Sequence, residues 1–252
     1  MITTAPHILV ADQGGCRLIT INRPERRNAL GTATMQQIGG ALAEAQADAD
    51  VHAVVLTGAA PAFCAGSDLK ELAGLSVAEM CEHEAETAAV ARSIGKLDLP
   101  VIAAVEGYAL GGGCILALSC DLVVSARNAR WAMPEVANGW LPPWGLEALV
   151  ARAGLVTARS LTWGTFDCDG VEAHRLGLAD HLSEPGEAVT TAFGLAARLA
   201  ALPPHSVAST KTFFRSLRQD AERLDAVASL QFSHDAGSPA AQAVLARFAG
   251  GS

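Results

Sequence analysis

The stretch Val101–Asp121, VIAAVEGYALGGGCILALSCD, constrains the fold more than any other part of the chain. Val101, Ile102 and Val105 form a β-branched apolar run without 3.6-residue periodicity, which reads as a buried strand that Gly107 ends. Three consecutive glycines follow, Gly111, Gly112 and Gly113, and then Ile115, Leu116, Ala117 and Leu118. A helix is predicted to begin at the glycines. Its first N–H groups have no intrahelical partner there and carry the positive end of the helix dipole. With no side chains in the way, such a turn brings N–H donors close to an oxygen that gains negative charge. A close-packed helix start without a ligand needs the same glycines, so the triplet alone leaves both readings open.

Strands and helices alternate around this stretch. Ile8–Ala11 and Arg17–Ile21 are predicted as a hairpin across Asp12-Gln13-Gly14-Gly15, and Thr32 or Thr34 caps a helix running to about Ala47. Val51–Thr57 is a second strand, Ser76–Ile94 a long helix and Leu122–Ser125 another short strand. On the 76–94 helix, Glu82, His83, Glu84 and Glu86 are too closely spaced to share one face, so most are expected to face solvent. No metal site is expected, because these groups have no ligand partners at suitable spacing. Further helices are predicted at Leu146–Ala153, Ala158–Trp163 and Val171–Leu176, with Gly154 and Gly177 as stops. Glu187–Ala201, Pro204–Leu217, Leu224–Ala236 and Pro239–Phe248 complete the set. The fold class is α/β, turning all-α near residue 200.

Half of the 252 residues are hydrophobic, enough for one sizeable core. The formal charge of −8 argues against nucleic-acid or anionic-membrane partners recruited through net charge. Arg23, Arg26 and Arg27 in NRPERRNAL form a local basic cluster, either a solvated face or a grip on phosphate. The six cysteines make no CxxC pair and no zinc-type spacing, which predicts free thiols in a reducing compartment. MITTAPHILV shows no signal-peptide pattern and no run reaches 18 apolar residues, so the expected location is cytoplasmic.

In order and spacing, NRPERRNAL, VVLTGAAPAFCAGSDLKE, PVIAAVEGYALGGGC, the CD and PE that follow and the later GLAD resemble the enoyl-CoA hydratase/isomerase family, also called the crotonase family. The resemblance covers about the first 180 residues. It implies a crotonase-like spiral of ββα repeats as an acyl-CoA-binding core over residues 1–200. A C-terminal helical region over 201–252 would then assemble the chain into a homotrimer or a dimer of trimers. The implied partner is an acyl-CoA thioester, with coenzyme A a part of the substrate and no separate cofactor. The N–H groups of Ser67 and Gly112 would hold the thioester oxygen. CoA would lie along Ala65, Gly66, Asp68, Leu69 and Lys70, and a basic residue of the early loop, Arg26 among the candidates, would meet its phosphates.

The acid/base positions depart from the family pattern. Family hydratases carry a glutamate directly after GGGC and a second one twenty residues later; here Ile115 takes the first place and Glu135 the second. Eight residues further on, Pro143 stands where the family usually has a glycine whose N–H helps to hold water, or an aspartate in some isomerases, and proline has no N–H to give. With both water-holding groups missing, the resemblance implies a one-glutamate proton shuttle of the enoyl-CoA isomerase type, with Glu135 as the sole acid/base. Trp131, Met133, Trp140 and Trp144 suggest an apolar setting that raises its pKa. Ile115, Trp140, Pro143 and Trp144 are expected to line the acyl pocket. One alternative is a specialised enoyl-CoA or aryl-enoyl-CoA hydratase/lyase, with the Trp loop shaping a ring-sized pocket and Tyr108 assisting. Another is a non-catalytic oligomer that binds CoA thioesters. The family's basic C-terminal ending is reduced here to Arg247 before Phe248-Ala249-Gly250-Gly251-Ser252.

Overall fold

Hydrogen-bonded strand runs separated by helices set the frame, and a computed structural model describes it for residues 6–218 and 220–249. In chain order the elements are β1 (Ile8–Gln13), β2 (Cys16–Ile21), a 3-10 turn (Pro24–Arg26), α1 (Thr32–Ala47), β3 (Ala53–Gly58), α2 (Leu69–Leu72) and α3 (Val77–Ile94). Then come β4 (Val101–Val105), β5 (Tyr108–Leu110), α4 (Gly112–Leu118), β6 (Leu122–Ala126), β7 (Arg130–Ala132), α5 (Glu135–Asn138) and α6 (Leu146–Thr162). The chain continues with β8 (Cys168–Asp169), α7 (Gly170–Arg175), β9 (His181–Ser183), α8 (Ala188–Ala200), α9 (Pro204–Ser216), α10 (Ala221–Ala236) and α11 (Pro239–Ala249).

The main sheet has the order β1-β2-β3-β4-β6-β9, antiparallel at the β1–β2 hairpin and parallel elsewhere. The hairpin strands reach further than predicted because the turn tightens to Gly14-Gly15, both at positive φ. β3 and β4 are covered on both faces, which is why they read as continuous apolar runs. Alternate residues serve two cores: Ile19, Ile21, Val54, Leu56, Val101, Ala103 and Val105 face the larger one. Cys16, Ala53, Val55, Ile102, Ala104 and Val124 meet Ala188, Ala192 and Ala196 of α8 on the other side, small against small, so the helix lies close to the sheet. A second sheet, β5-β7-β8, joins three strands of two or three residues each, too short to show a period in the sequence.

One expectation holds inside α6 and another needs correction. Gly154 interrupts the helix as expected: it is non-helical at φ 75, ψ 162, and a second helical run continues beyond it to Thr162. His83 and Glu84 are buried rather than solvent-facing, while Glu82 and Glu86 are exposed as expected. The reason is that α3 packs against α1 on one side and α10 on another, so more than one stripe of it is covered.

The C-terminal helices fold back over the α/β part. α10 lies on α3 and α6, and α11 on α2 and α5. Lys211 of α9 donates to Ile94 O (2.9 Å) and Leu99 O (2.7 Å) and pairs with Asp121 (2.7 Å). Asp225 of α10 pairs with Arg92 and accepts from Gly145 N (2.8 Å), and Asp235 accepts from Leu141 N (3.1 Å), so α10 pins both ends of the Trp-Pro loop. Phe213, Phe214, Leu217 and Leu230 nonetheless stay exposed. Among the described residues no helix is long and apolar enough to cross a membrane. Expectations about residues 1–5 and 250–252 fall outside the described residues.

Replacing Asp225 by Ala strands the Gly145 N–H and the Arg92 guanidinium together. The expected cost is about 2–4 kcal/mol of stability by urea denaturation, with Asp225→Asn clearly milder because it keeps an acceptor.

Candidate active site

Four chain segments run side by side, and three of them end at one place. Asn28, buried at φ 59, holds the first two together: its Nδ2 donates to Ala59 O (2.7 Å) and Ala62 O (2.6 Å), and its Oδ1 accepts from Arg23 N (2.9 Å). Ala65 N then bonds Arg27 O (3.0 Å), Leu30 N bonds Gly66 O (2.8 Å) and Asp68 N bonds Leu30 O (2.9 Å). On its other edge the second segment meets β5, through Cys64 N to Tyr108 O (2.9 Å) and Leu110 N to Cys64 O (3.0 Å). β7 runs parallel to β5, and Gly111 N bonds Ala132 O (2.8 Å). The continuations of the last three are Ser67, Gly112 and Glu135.

This pairing leaves two amides free. Gly66 O and Asp68 N both point to Leu30, so in an extended segment the intervening Ser67 N–H points the opposite way. Gly112 is the first helical residue of α4, where an N–H has no acceptor in its own helix. Neither amide donates to another protein group among the described residues. They lie near each other with no side chain between: a Cβ on Gly66 (φ 88) would fall 3.3 Å from Gly112 N, and one on Gly112 3.7 Å from Ser67 N.

Glu135 opens α5, and its carboxyl lies against Gly111, where any Cβ would collide with Oε1. Its Oε2 is buried without a hydrogen-bond partner. Burial pushes its pKa from 4.5 up to about 8, and the charge of Glu84 adds to the rise. At neutral pH the folded protein therefore keeps Glu135 protonated.

A cavity of about 50 Å³ lies between these groups. Of the residues singled out in the sequence, Ala65, Gly66, Ser67, Leu69, Gly112, Ile115, Glu135, Trp140, Pro143 and Trp144 line it. Asp68 and Lys70 do not: the Asp68 side chain pairs with Arg23 (2.9 Å) and accepts from Lys70 N (3.2 Å), and Lys70 is exposed. The same ion pair, with an Arg23 bond to Ala29 O (2.7 Å), gives Arg23 a structural place, whereas Arg26 is exposed on the 3-10 turn. Tyr108 lies in β5 and is not part of the lining.

Sequence reasoning missed Glu84. It lines the cavity beside Glu135 and accepts from Trp144 Nε1 (2.7 Å). A signal was present, because Met80, Glu84, Thr87 and Ala91 fall on one i, i+4, i+7, i+11 stripe and all are buried.

Residues 11–242 match the family model described as Enoyl-CoA hydratase/isomerase. The chain belongs to the enoyl-CoA hydratase/isomerase family. It is 35% identical over 207 residues to the short-chain-enoyl-CoA hydratase of Clostridium acetobutylicum, covering 81% of this chain and 79% of that protein. It is 34% identical over 216 residues to the 2,3-dehydroadipyl-CoA hydratase of Escherichia coli (85% and 83% covered). The crystal structure of an enoyl-CoA hydratase/isomerase from Mycobacterium paratuberculosis matches with a TM-score of 0.86 at 25% identity, covering 97% of this chain and 99% of that one. This enoyl-CoA hydratase/isomerase family member thus has the α/β crotonase fold and is an enzyme that processes acyl-CoA thioesters.

Because Glu135 titrates near 4.5 when unfolded and near 8 when folded, the folded family member binds more protons between those values and loses stability as pH rises through them. Thermal unfolding across that window should show a downward slope for the wild type and a flatter one for Glu135→Gln.

Proposed function

We propose that the chain is an enoyl-CoA isomerase that moves a proton between the α and γ carbons of an unsaturated acyl-CoA, with Glu135 as acid/base and the Ser67 and Gly112 amides as oxyanion donors. The observation that carries this reading is Glu135 Oε2, buried without a partner in the cavity that Ser67 and Gly112 also line. When a proton leaves the α carbon, the thioester oxygen takes on enolate charge. Two N–H groups already fixed by backbone pairing meet that charge without reorganising, and each is worth about 3 kcal/mol of barrier. Glu135 takes the α proton and returns it to the γ carbon, so one C–H bond breaks, another forms, and the double bond shifts.

Isomerisation is favoured over water addition because the side chains at the two departures from the family pattern, Ile115 and Pro143, offer the cavity no hydrogen-bond donor. CoA would run past Ala65 and Leu69, with Arg26 exposed on the neighbouring turn to meet phosphate. Assembly through the C-terminal helices belongs to the same reading and is supported by the exposed Phe213, Phe214 and Leu217 of that region. A second reading, hydration, is favoured by one observation of its own: Glu84 brings a second carboxylate to the cavity, and similar proteins are named hydratases.

Assays with 3-hexenoyl-CoA and crotonyl-CoA separate the two readings. Isomerisation should outpace hydration, and Glu135→Gln should lose at least about a hundredfold in kcat. As a base, Glu135 must be ionised, so isomerase kcat/KM should rise with pH and level off above about 8. Faster hydration that instead falls above about 8, where the neutral acid is lost, would move the assignment to the second reading.

A further inference from the structure

Glu135 Oε2 has no partner within the protein, and an acyl group filling the small cavity would shut out the water that could exchange with it. Glu84 is the other ionisable side chain lining that cavity, and behind it stands an arrangement that no structural role explains. Glu84 Oε2 is fixed by Trp144 Nε1, while Oε1 faces His83 Nδ1 at 3.7 Å. His83 is 6% exposed, and neither ring nitrogen has a hydrogen-bond partner. Buried polar atoms are nearly always paired, so a histidine with two orphaned nitrogens needs a reason. Its Nε2 lies 4.0 Å from Glu71 Oε1, and Glu71 reaches the surface, with its side chain 37% exposed and held by Thr32 Oγ1 (2.7 Å) and Thr32 N (3.1 Å).

We propose that Glu84, His83 and Glu71 form a proton line connecting Glu135 with solvent while acyl-CoA closes the cavity. The proposal rests on the reading of Glu135 as the group that takes and returns the α proton. After Glu135 gains that proton, it passes it across the shared cavity to the Glu84 carboxylate. Glu84 gives a proton to His83 Nδ1, His83 releases one from Nε2 to Glu71, and Glu71 passes it to water. Each O–H or N–H bond broken is matched by one formed, and the reverse sequence reloads Glu135. Imidazole suits the middle place because it accepts at one nitrogen while donating from the other. Hydrogen bonds form at about 2.7–3.2 Å, so the two gaps at His83 each close with a shift of about half to one ångström. A ring whose nitrogens are not tied down can make that shift. Burial pulls the His83 pKa down, but the carboxylates of Glu84, Glu71 and Glu86 outweigh this and lift it above its ordinary value, which helps the ring to hold a proton in transit.

Butyryl-CoA in deuterium oxide provides the test, because its α hydrogens can exchange while it has no double bond to move or hydrate. Deuterium uptake is followed by mass spectrometry, and the Kd for butyryl-CoA by titration. With the line broken, Glu135 returns the same proton it took. His83→Gln and Glu71→Gln should therefore exchange at least about tenfold more slowly than wild type at unchanged Kd. Added imidazole should restore exchange in His83→Ala, which mere loss of packing would not allow. Exchange at the wild-type rate in either glutamine variant, or a His83→Ala loss that imidazole leaves untouched, overturns the proposal. Two separate interruptions keep the test valid if one variant fails to fold. Wild type that exchanges nothing, or Glu135→Gln that exchanges normally, would instead strike at the role of Glu135 itself.

Discussion

Backbone pairing between short extended segments is the constraint on which the rest depends. The run from Cys64 to Asp68 is used on both edges, by Arg27 and Leu30 on one side and by Tyr108 and Leu110 on the other. Alternation then dictates which amide is spare, and it is Ser67. Gly112 is spare for a different reason, as the first residue of α4. No side chain has to be placed for the two donors to converge. Side chains have only to be kept out, which is why Gly66, Gly111 and Gly112 occur where they do: a Cβ at Gly66 would press on Leu110 O at 2.8 Å, and one at Gly111 would strike the Glu135 carboxyl.

The electrostatics of Glu135 follow from that frame and from a distant part of the chain. A charged carboxyl whose Oε2 is buried without a partner is costly, and the wall around Glu135 turns that cost into a pKa pushed up to about 8, which favours the neutral acid. Trp140 and Trp144 make up part of that wall, and their loop is stiffened by Pro142 and Pro143. The loop hangs on Asp225 and Asp235 of α10, and Trp140 packs edge-on against Phe232 of the same helix at 6.3 Å. A helical segment far from the glycine turn in sequence thereby governs how dry the acid stays.

Much of this was legible before the coordinates. The buried strand ending at Gly107 and the helix start at the glycine triplet each carry a local signature and stand where they were expected, and of the apolar neighbours expected for Glu135, Trp140 and Trp144 line its cavity while Trp131 and Met133 belong to the larger core. The short strands β5, β7, β8 and β9 had no signature, because two or three residues cannot show a period. Glu84 and His83 were misread for another reason. Charged residues close together on one helix normally mean a solvated face, but α3 is covered by α1 and α10 together, and the second cover comes from residues about 140 positions downstream. Likewise the sequence left Arg23 open between a solvated face and a grip on phosphate, and it is Asp68, far along the chain, that pairs with it.

The family frame and the individual chemistry are therefore carried by different parts of the chain, the first by backbone pairing and the second by the side chains that line the cavity. The family match over residues 11–242 spans the segments that converge on the spare amides, and those segments need only small residues and regular pairing. Which polar groups project into the space so formed is a separate matter. Ile115 and Pro143 offer it no hydrogen-bond donor, and Glu84 brings a charge to it from α3. A second carboxylate beside Glu135 cannot be a bystander, since its charge favours the neutral form of its neighbour whatever reaction follows. The protonation state in which Glu135 waits for substrate is thus set jointly by a loop of tryptophans and by one residue on the opposite helix.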